Sequence, residues 1–394
     1  MNILCVLQQS VYNNNGKWST ADSNIQMMCG IFREFVNKTD WNFYVLIGKL
    51  DDFSDIKSYD EIFCHKNVSF IPYNFPVDAF FNRQHFNIFE FSEMWSKLPK
   101  IDIVWNNITE ITRNIKTFLF YKKSNAKIIS CCYWLDSPMI GEEKVDKIIS
   151  YQWRQFDAFE CADLVVFTCK STKEAWVANS KYIFNAILID NILIKSTIWD
   201  FGFSKNEAEL YKTKNKFFKK TILFLNRLSG INYTHHEEFI VAVNELYEQR
   251  QDFQVVFTNP SGKFSWNELK QLVKPLFVYS ENTLNREEYF KLLWMANTSV
   301  HLYEKERFGG CSHRESIYCG NITVTPKVFE YERIQGAFYP FYCSINSIFS
   351  IVKALNMSLN YTRKIYDKEI LKRNNQSSFE EISDNVIKDI KRLS

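Results

Sequence analysis

The sequence predicts an α/β chain of two successive parallel-sheet domains, and three observations carry that prediction. Short β-branched runs alternate with helical stretches along most of the chain, the pattern of strands joined by crossover helices. The alternation halts at a lysine-rich stretch, KNEAELYKTKNKFFKK over 205–220, and then begins again. A length of 394 residues also exceeds one ordinary domain, so two of about 150 to 200 residues are expected.

The first strand is expected over 3–7. A polar loop, QQSVYNNNGKWST, fills 8–20, and Ser19 or Thr20 is placed to cap a helix over 21–35, whose Ile25, Met28, Ile31, Phe32 and Phe35 recur at helical spacing. Strands at 42–47, 68–71, 101–105, 127–132 and 164–168 continue the series, and an apolar run at 183–189 closes it. The second series has strands at 221–225, 254–258, 276–279, 299–303 and 322–325. Helices are expected between them at 237–248, 266–273, 286–296 and 315–319. The implied division is an N-terminal domain at 1–200, a linker at 201–220, a C-terminal domain at 221–360 and a charged helical tail at 361–394.

Composition removes several classes of protein. Hydrophobic residues at 46% and charged residues at 24% are globular values, while 11 glycines and 8 prolines are about half the usual share, which excludes collagen-like and disordered chains. The 35 Phe, 20 Tyr and 10 Trp supply bulky side chains for two cores. A net charge of +3 argues against wholesale neutralisation of phosphates and leaves room for a local basic groove. The ten cysteines show no CxxC or paired Cys/His spacing, so reduced, mostly buried thiols are expected. The N-terminus turns polar too early for a secretory signal, and no apolar run reaches about 18 residues, so a cytoplasmic protein without membrane contact is expected. No DxD, HExxH or GxxxxGK[ST] occurs, which disfavours metal-dependent transfer and P-loop hydrolysis; no metal and no cofactor are expected.

Chemistry concentrates in a few segments. In EKERFGGCSHRESIYCGNITVTP, 304–326, Gly309 and Gly310 would let backbone approach a phosphate or sugar, and the helix that follows would turn its positive end toward an anion. Glu315 is then placed to accept hydrogen bonds from a ribose, and Glu306 from a sugar. ILFLNRLSGINYTHHEEF, 222–239, is a strand, then Asn226-Arg227, a loop and a helix opened by His235 and His236, residues that suit ligand contact and helix capping alike. KIISCCYWLDSPM, 127–139, ends a buried strand in Asp136, which suits either an acceptor-side carboxylate or a cap of the turn with Ser137-Pro138. Gly16 lies in the first loop, where backbone would meet a ligand.

In this order the segments resemble the retaining GT-B glycosyltransferases, in which two Rossmann-like parallel-sheet domains face a central cleft. The early polar loop, YWLDSP, Asn226-Arg227 and GGCSHRESIYCGN look most like the T-even-type bacteriophage DNA α-glucosyltransferases or a related pentose-transferring enzyme, which decorate hydroxymethylated cytosine. The resemblance implies a hexosyl- or pentosyltransferase with a nucleoside-diphosphate sugar as donor, duplex DNA bearing 5-hydroxymethylcytosine as acceptor, and the cytoplasm of a phage host as its place. Asp136 falls on the family's catalytic aspartate, with Leu135 where the family has histidine. Arg227 falls on the arginine that grips the leaving diphosphate, and His235 or His236 would stand in for a missing lysine, with His236 taken as the donor-side residue. Glu315 falls on the nucleotide-binding acid, with Gly16, Glu306, Gly309 and Gly310 completing the donor side. Lys364, Lys368, Lys372 and Arg373 would line a phosphate track, and Trp18, Trp153 or Trp266 would stack a flipped base. Transfer to a cell-surface or oligosaccharide glycan, and a scaffold that binds nucleotide sugar or nucleic acid without transfer, are the alternatives.

Overall fold

The computed structural model describes residues 1–7, 23–48, 66–73, 86–132, 145–200, 202–226, 228, 234–258, 264–281, 284–303, 310–361 and 366–393. They form two compact units, Met1–Phe201 with Phe379–Ser394, and Gly202–Ser378.

The first unit opens with β1 (Asn2–Val6), α1 (Ser23–Lys38), β2 (Asn42–Gly48), β3 (Val68–Tyr73), α2 (Ile88–Ser96) and β4 (Ile103–Asn106). It continues through α3 (Thr112–Tyr121), β5 (Lys127–Cys132), α4 (Val145–Cys161), β6 (Leu164–Phe167), α5 (Lys170–Ser180), α6 (Ala186–Ile194) and β7 (Ser196–Ile198). Its seven strands are all parallel, in the order β3-β2-β1-β4-β5-β6-β7. A sheet covered on both faces requires strands that are apolar on both sides, and Ile3, Leu4, Cys5 and Val6 are all buried. Each fully buried Ile, Leu, Val or Phe of this kind contributes roughly 1.5–3 kcal/mol. The apolar run at 183–189 is not a strand: Asn185 accepts from the Leu188 N–H at 3.0 Å and starts α6 instead.

The second unit comprises α7 (Lys205–Leu210), β8 (Lys220–Phe224), α8 (His236–Gln249), β9 (Phe253–Phe257), α9 (Trp266–Leu272), α10 (Arg286–Met295), β10 (Thr298–Val300) and α11 (Cys311–Tyr318). It ends with β11 (Ile322–Val324), α12 (Phe329–Gln335), α13 (Ile348–Asn360) and α14 (Tyr366–Asn375). Four parallel strands run β11-β10-β8-β9, with Ile222 of β8 between Val255 and Thr298. Side chains alternate across this sheet. Ile222, Phe224, Val255 and Phe257 join Phe239 of α8 and Leu355 of α13 in one core, while Leu223 and Val256 join Phe290 and Leu293 of α10 on the opposite face. The segment expected at 276–279 adds only an isolated bridge, Leu276 to Val255.

The expected linker and tail are both more structured than their charge implies. Within 201–220, the Ser204 hydroxyl accepts from the Glu207 N–H at 3.0 Å and caps α7, whose Ala208 is fully buried. Of the charged tail, α14 packs in the second unit, whereas α15 (Phe379–Lys391) returns to the first. There the Phe379 ring lies against Gly30 of α1, so close that a Cβ on residue 30 would fall 2.2 Å from it. Lys38 Nζ donates to Ser383 Oγ at 2.6 Å and Asp384 Oδ1 at 2.8 Å, and Thr197 Oγ1 and Trp199 Nε1 both donate to Asp389 Oδ2 at 3.0 Å.

Candidate functional site

In the second sheet, β9 lies on one side of β8 and β10 on the other, so the connections leaving β8 and β10 run to opposite faces. A parallel sheet opens a ligand crevice beyond the carboxyl ends of strands at such a reversal. Asn226 follows β8, His301 follows β10, and the chain after His301 leads to Gly310 and α11. Asn226 is 3% exposed, and among the described residues its Nδ2 has no hydrogen-bond partner. Gly310 precedes α11 with φ +45°, a backbone region that strains any side chain, while the nearest atom to a Cβ there would be 3.8 Å away. Conformation, not crowding, calls for glycine at this position.

Glu315, on the inner face of α11, is the most tightly held of the expected site residues. Its side chain is 4% exposed; Oε1 accepts from Arg286 Nη2 at 2.7 Å and Oε2 from the Tyr289 hydroxyl at 2.9 Å. Arg286 also forks onto Glu207 of α7, Nε to Oε1 at 3.1 Å and Nη2 to Oε2 at 2.9 Å, and its guanidinium lies 4.6 Å from the centre of the Phe290 ring. Burial alone would lower the Arg286 pKa, but Glu315 and Glu207 more than offset it and hold the guanidinium charged. Burial and then the Glu315 charge push the Tyr289 phenol well up, so it stays a donor.

His236 is the first residue of α8 and is fully buried, with Nδ1 3.0 Å from Thr234 Oγ1 and its ring edge-on to Phe264. His235, at φ +49°, has Nδ1 3.4 Å from Glu238 Oε1 and makes no side-chain cap bond. Beyond β10, burial lowers the His301 pKa to about 3, so the ring is neutral; its Nε2 is 3.2 Å from Ser299 Oγ. His301 packs edge-on against His313, which packs against Tyr331. Nearby, Arg314 and Glu330 are fully buried and 3.7 Å apart, and Arg333 also pairs with Glu330.

Of the expected set, the second unit places Gly310 and Glu315 at and in α11, which follows β10, and His236 at the start of α8, which follows β8. Gly16, Asp136, Arg227, Glu306 and Gly309 lie outside the described residues. Sequence reasoning missed Arg286, Glu207, Tyr289 and His301. The Asn285 capping box with Glu288 marks where α10 begins, and Arg286 follows at once, but nothing local shows that it meets an acid 29 residues away. The residues assigned to a DNA track divide. Lys368 and Lys372 are exposed, but Arg373 donates to the Ile334 and Gln335 carbonyls at 2.7 and 3.0 Å. Trp266 donates to the Glu281 carbonyl, and Trp153 is half exposed against Phe184; Lys364 and Trp18 lie outside the described residues. Among the described residues no group of three or more His, Cys, Asp or Glu is placed to hold a metal, and no helix is long and apolar enough to cross a membrane.

No protein-family model matches this chain, and no curated protein matches it. Solved structures do. Trehalose-6-phosphate synthase OtsA superposes with a TM-score of 0.72 at 10% identity, over 100% of both chains. The UDP-forming α,α-trehalose-phosphate synthase from Burkholderia xenovorans, in complex with glucose-6-phosphate, gives 0.68 at 11% identity over 99% of this chain and 100% of that one. HepE from Anabaena, in complex with UDP and glucose, gives 0.67 at 13% identity over 100% of both. The chain has the fold these structures share: α/β, GT-B, two Rossmann-like parallel-sheet domains in one polypeptide.

Proposed function

We propose that this protein is a retaining glycosyltransferase that moves a sugar from a nucleoside-diphosphate sugar to an acceptor hydroxyl. The observation that carries the reading is the carboxyl edge of the second sheet, where Gly310 opens α11 in a glycine-demanding conformation and Glu315 is held oriented by Arg286 and Tyr289. A carboxylate has about four acceptor sites, and the two internal donors leave about two, enough for a ribose diol. Arg227, directly after β8, stabilises the negative charge that develops on the departing diphosphate, aided by the N-terminal dipole of α11 and by His236. Gly16, Glu306 and Gly309 complete the donor side, and Asp136, after β5, orients the acceptor. The sugar passes through an oxocarbenium-like state, and the leaving phosphate takes the acceptor proton on the same face, which gives retention. No metal or cofactor is required.

UDP-glucose is the first donor to test, because UDP, UDP-2-fluoro glucose and glucose occupy solved neighbours of the same fold. The finer acceptor reading, 5-hydroxymethylcytosine in phage DNA, rests on the order of motifs alone; glucose-6-phosphate is the acceptor-like compound bound in a neighbour. Incubation of the protein with labelled UDP-glucose and, separately, hydroxymethylcytosine duplex, plain duplex, glucose-6-phosphate and an oligosaccharide, with products weighed by mass spectrometry, tests both levels. Arg227→Ala is expected to lower turnover about 100-fold or more. Full turnover in both Arg227→Ala and Glu315→Gln would remove the donor-site assignment, and product on glucose-6-phosphate or the oligosaccharide alone would end the DNA reading.

A further inference from the structure

The chain enters the second unit through 202–210, and this short segment is fastened along the whole length of α11. At the amino end of the helix, Cys311 Sγ donates to the Gly202 carbonyl at 3.3 Å. At its middle, Glu315 is joined to Glu207 through the shared Arg286 guanidinium. At its carboxyl end, the Tyr318 hydroxyl donates to Glu209 Oε1 at 3.2 Å and its ring packs 5.3 Å from that of Phe203. The same segment is clamped to α10, because Trp294 Nε1 donates to the Ala208 carbonyl at 2.8 Å, and just beyond the segment Lys212 Nζ stands over the Trp294 ring. Ala208 is buried among Leu223, Phe290 and Leu293, so α7 sits in the core.

A loosely tethered linker has no need of these bonds. Glu207 is 12% exposed and binds Arg286 bidentately, which fixes the plane of the guanidinium; that plane in turn aims the single Nη2 bond to Glu315. Without Glu207, Arg286 keeps Glu315 as partner but loses two of its three bonds and the constraint on its rotamers.

We propose that 202–210 is a strap that sets the position of α11, and that Glu207 and Arg286 are positioning residues that tune donor affinity through Glu315 without touching the reacting atoms. This rests on the donor-side reading given above. Remote residues that act through one packed contact change affinity by factors of a few to some tens, so the expected effect is in binding and not in the chemical step.

The test measures binding of UDP, ADP and GDP by titration calorimetry, together with KM and kcat for UDP-glucose, in the wild type, Glu207→Ala, Glu207→Gln and Arg286→Lys. Arg250→Ala serves as a control for general loss of stability, since Arg250 bonds Asp252, Asn356 and Asn360 in the same unit and no residue of α7, α10 or α11. Glu207→Ala is expected to weaken binding of the preferred nucleotide and raise KM about tenfold, with kcat changed less than about twofold. Glu207→Gln, which keeps a hydrogen bond to Arg286, is expected to recover part of the loss, and Arg286→Lys to resemble Glu207→Ala. Arg250→Ala is expected to lower the melting temperature while binding stays at the wild-type value. Equal weakening in Glu207→Ala and Arg250→Ala, or a lower kcat with binding unchanged, would overturn the strap and leave the donor reading standing. A wild type that binds none of the three nucleotides and does not turn over UDP-glucose would overturn both.

Discussion

Acidification from pH 8 to pH 5 is expected to cost the second unit about 2 kcal/mol through one side chain, His301. The imidazole is buried and neutral in the folded protein, its pKa lowered from 6.5 to about 3. The unfolded chain therefore binds a proton that the native state refuses. Stability from this group is complete above pH 6.5 and falls as the pH drops from there toward 3. At pH 5 the unfolded state gains a factor of about thirty in its weight, which is the stated 2 kcal/mol. Asp252, held below its usual range by its hydrogen bond to Arg250, stays charged throughout this range. The two units need not unfold together, so local protection is a better readout than a global transition. The His301 N–H donates to the Val324 carbonyl at 3.0 Å, and hydrogen exchange of a peptide spanning 298–302 reports on that ladder. After correction for intrinsic exchange, protection between pH 8 and 5 should fall about thirtyfold further in the wild type than in His301→Gln, which cannot titrate at that position. Equal losses in the two proteins would refute the claim that His301 is buried and neutral.

Three further outcomes follow from the same contacts. Gly30→Ala sets a methyl into the Phe379 ring and should destabilise the first unit by about 1–3 kcal/mol in a thermal melt, with part recovered by adding Phe379→Leu; an unchanged melt would mean that α15 is not docked on α1. Tyr289→Phe strips one donor from the buried Glu315 carboxylate and should cost about 1–3 kcal/mol in urea unfolding, which Leu272→Ala, half exposed and remote from Glu315, should not match. If the leaving phosphate accepts the acceptor proton, Asp136→Asn should lower turnover by less than about 100-fold; a larger loss, measured at saturating donor, identifies Asp136 as a required base.

Strands buried on both faces declare themselves in sequence, because no polar alternation interrupts them; the run at 127–132 coincides with β5 to the residue. The same continuity misleads at 183–189, which runs into AILIDNILI at 186–194, apolar nearly all round, and only Asn185, a helix cap, separates the helical reading from the extended one. β7, three residues long, is too short to leave any period. The need for glycine at 310 and the place of residue 315 on a helix are legible because backbone conformation and helix position are local properties. The Glu207–Arg286–Glu315 chain is not, since it joins residues 79 and 29 positions apart through side-chain geometry alone. Charge misled in 205–220 for a related reason. Lys216 reaches the Trp294 and Ala296 carbonyls and Lys212 lies over Trp294, so lysines that read as a solvated linker serve as packing elements.

The first unit is discontinuous: α15 belongs to it although the whole of Gly202–Ser378 lies between. During synthesis, Gly30, Lys38, Thr197 and Trp199 therefore meet Phe379, Ser383 and Asp389 only after the whole of 202–378 has been made. A unit interrupted in this way is completed only after the one inserted into it has been made.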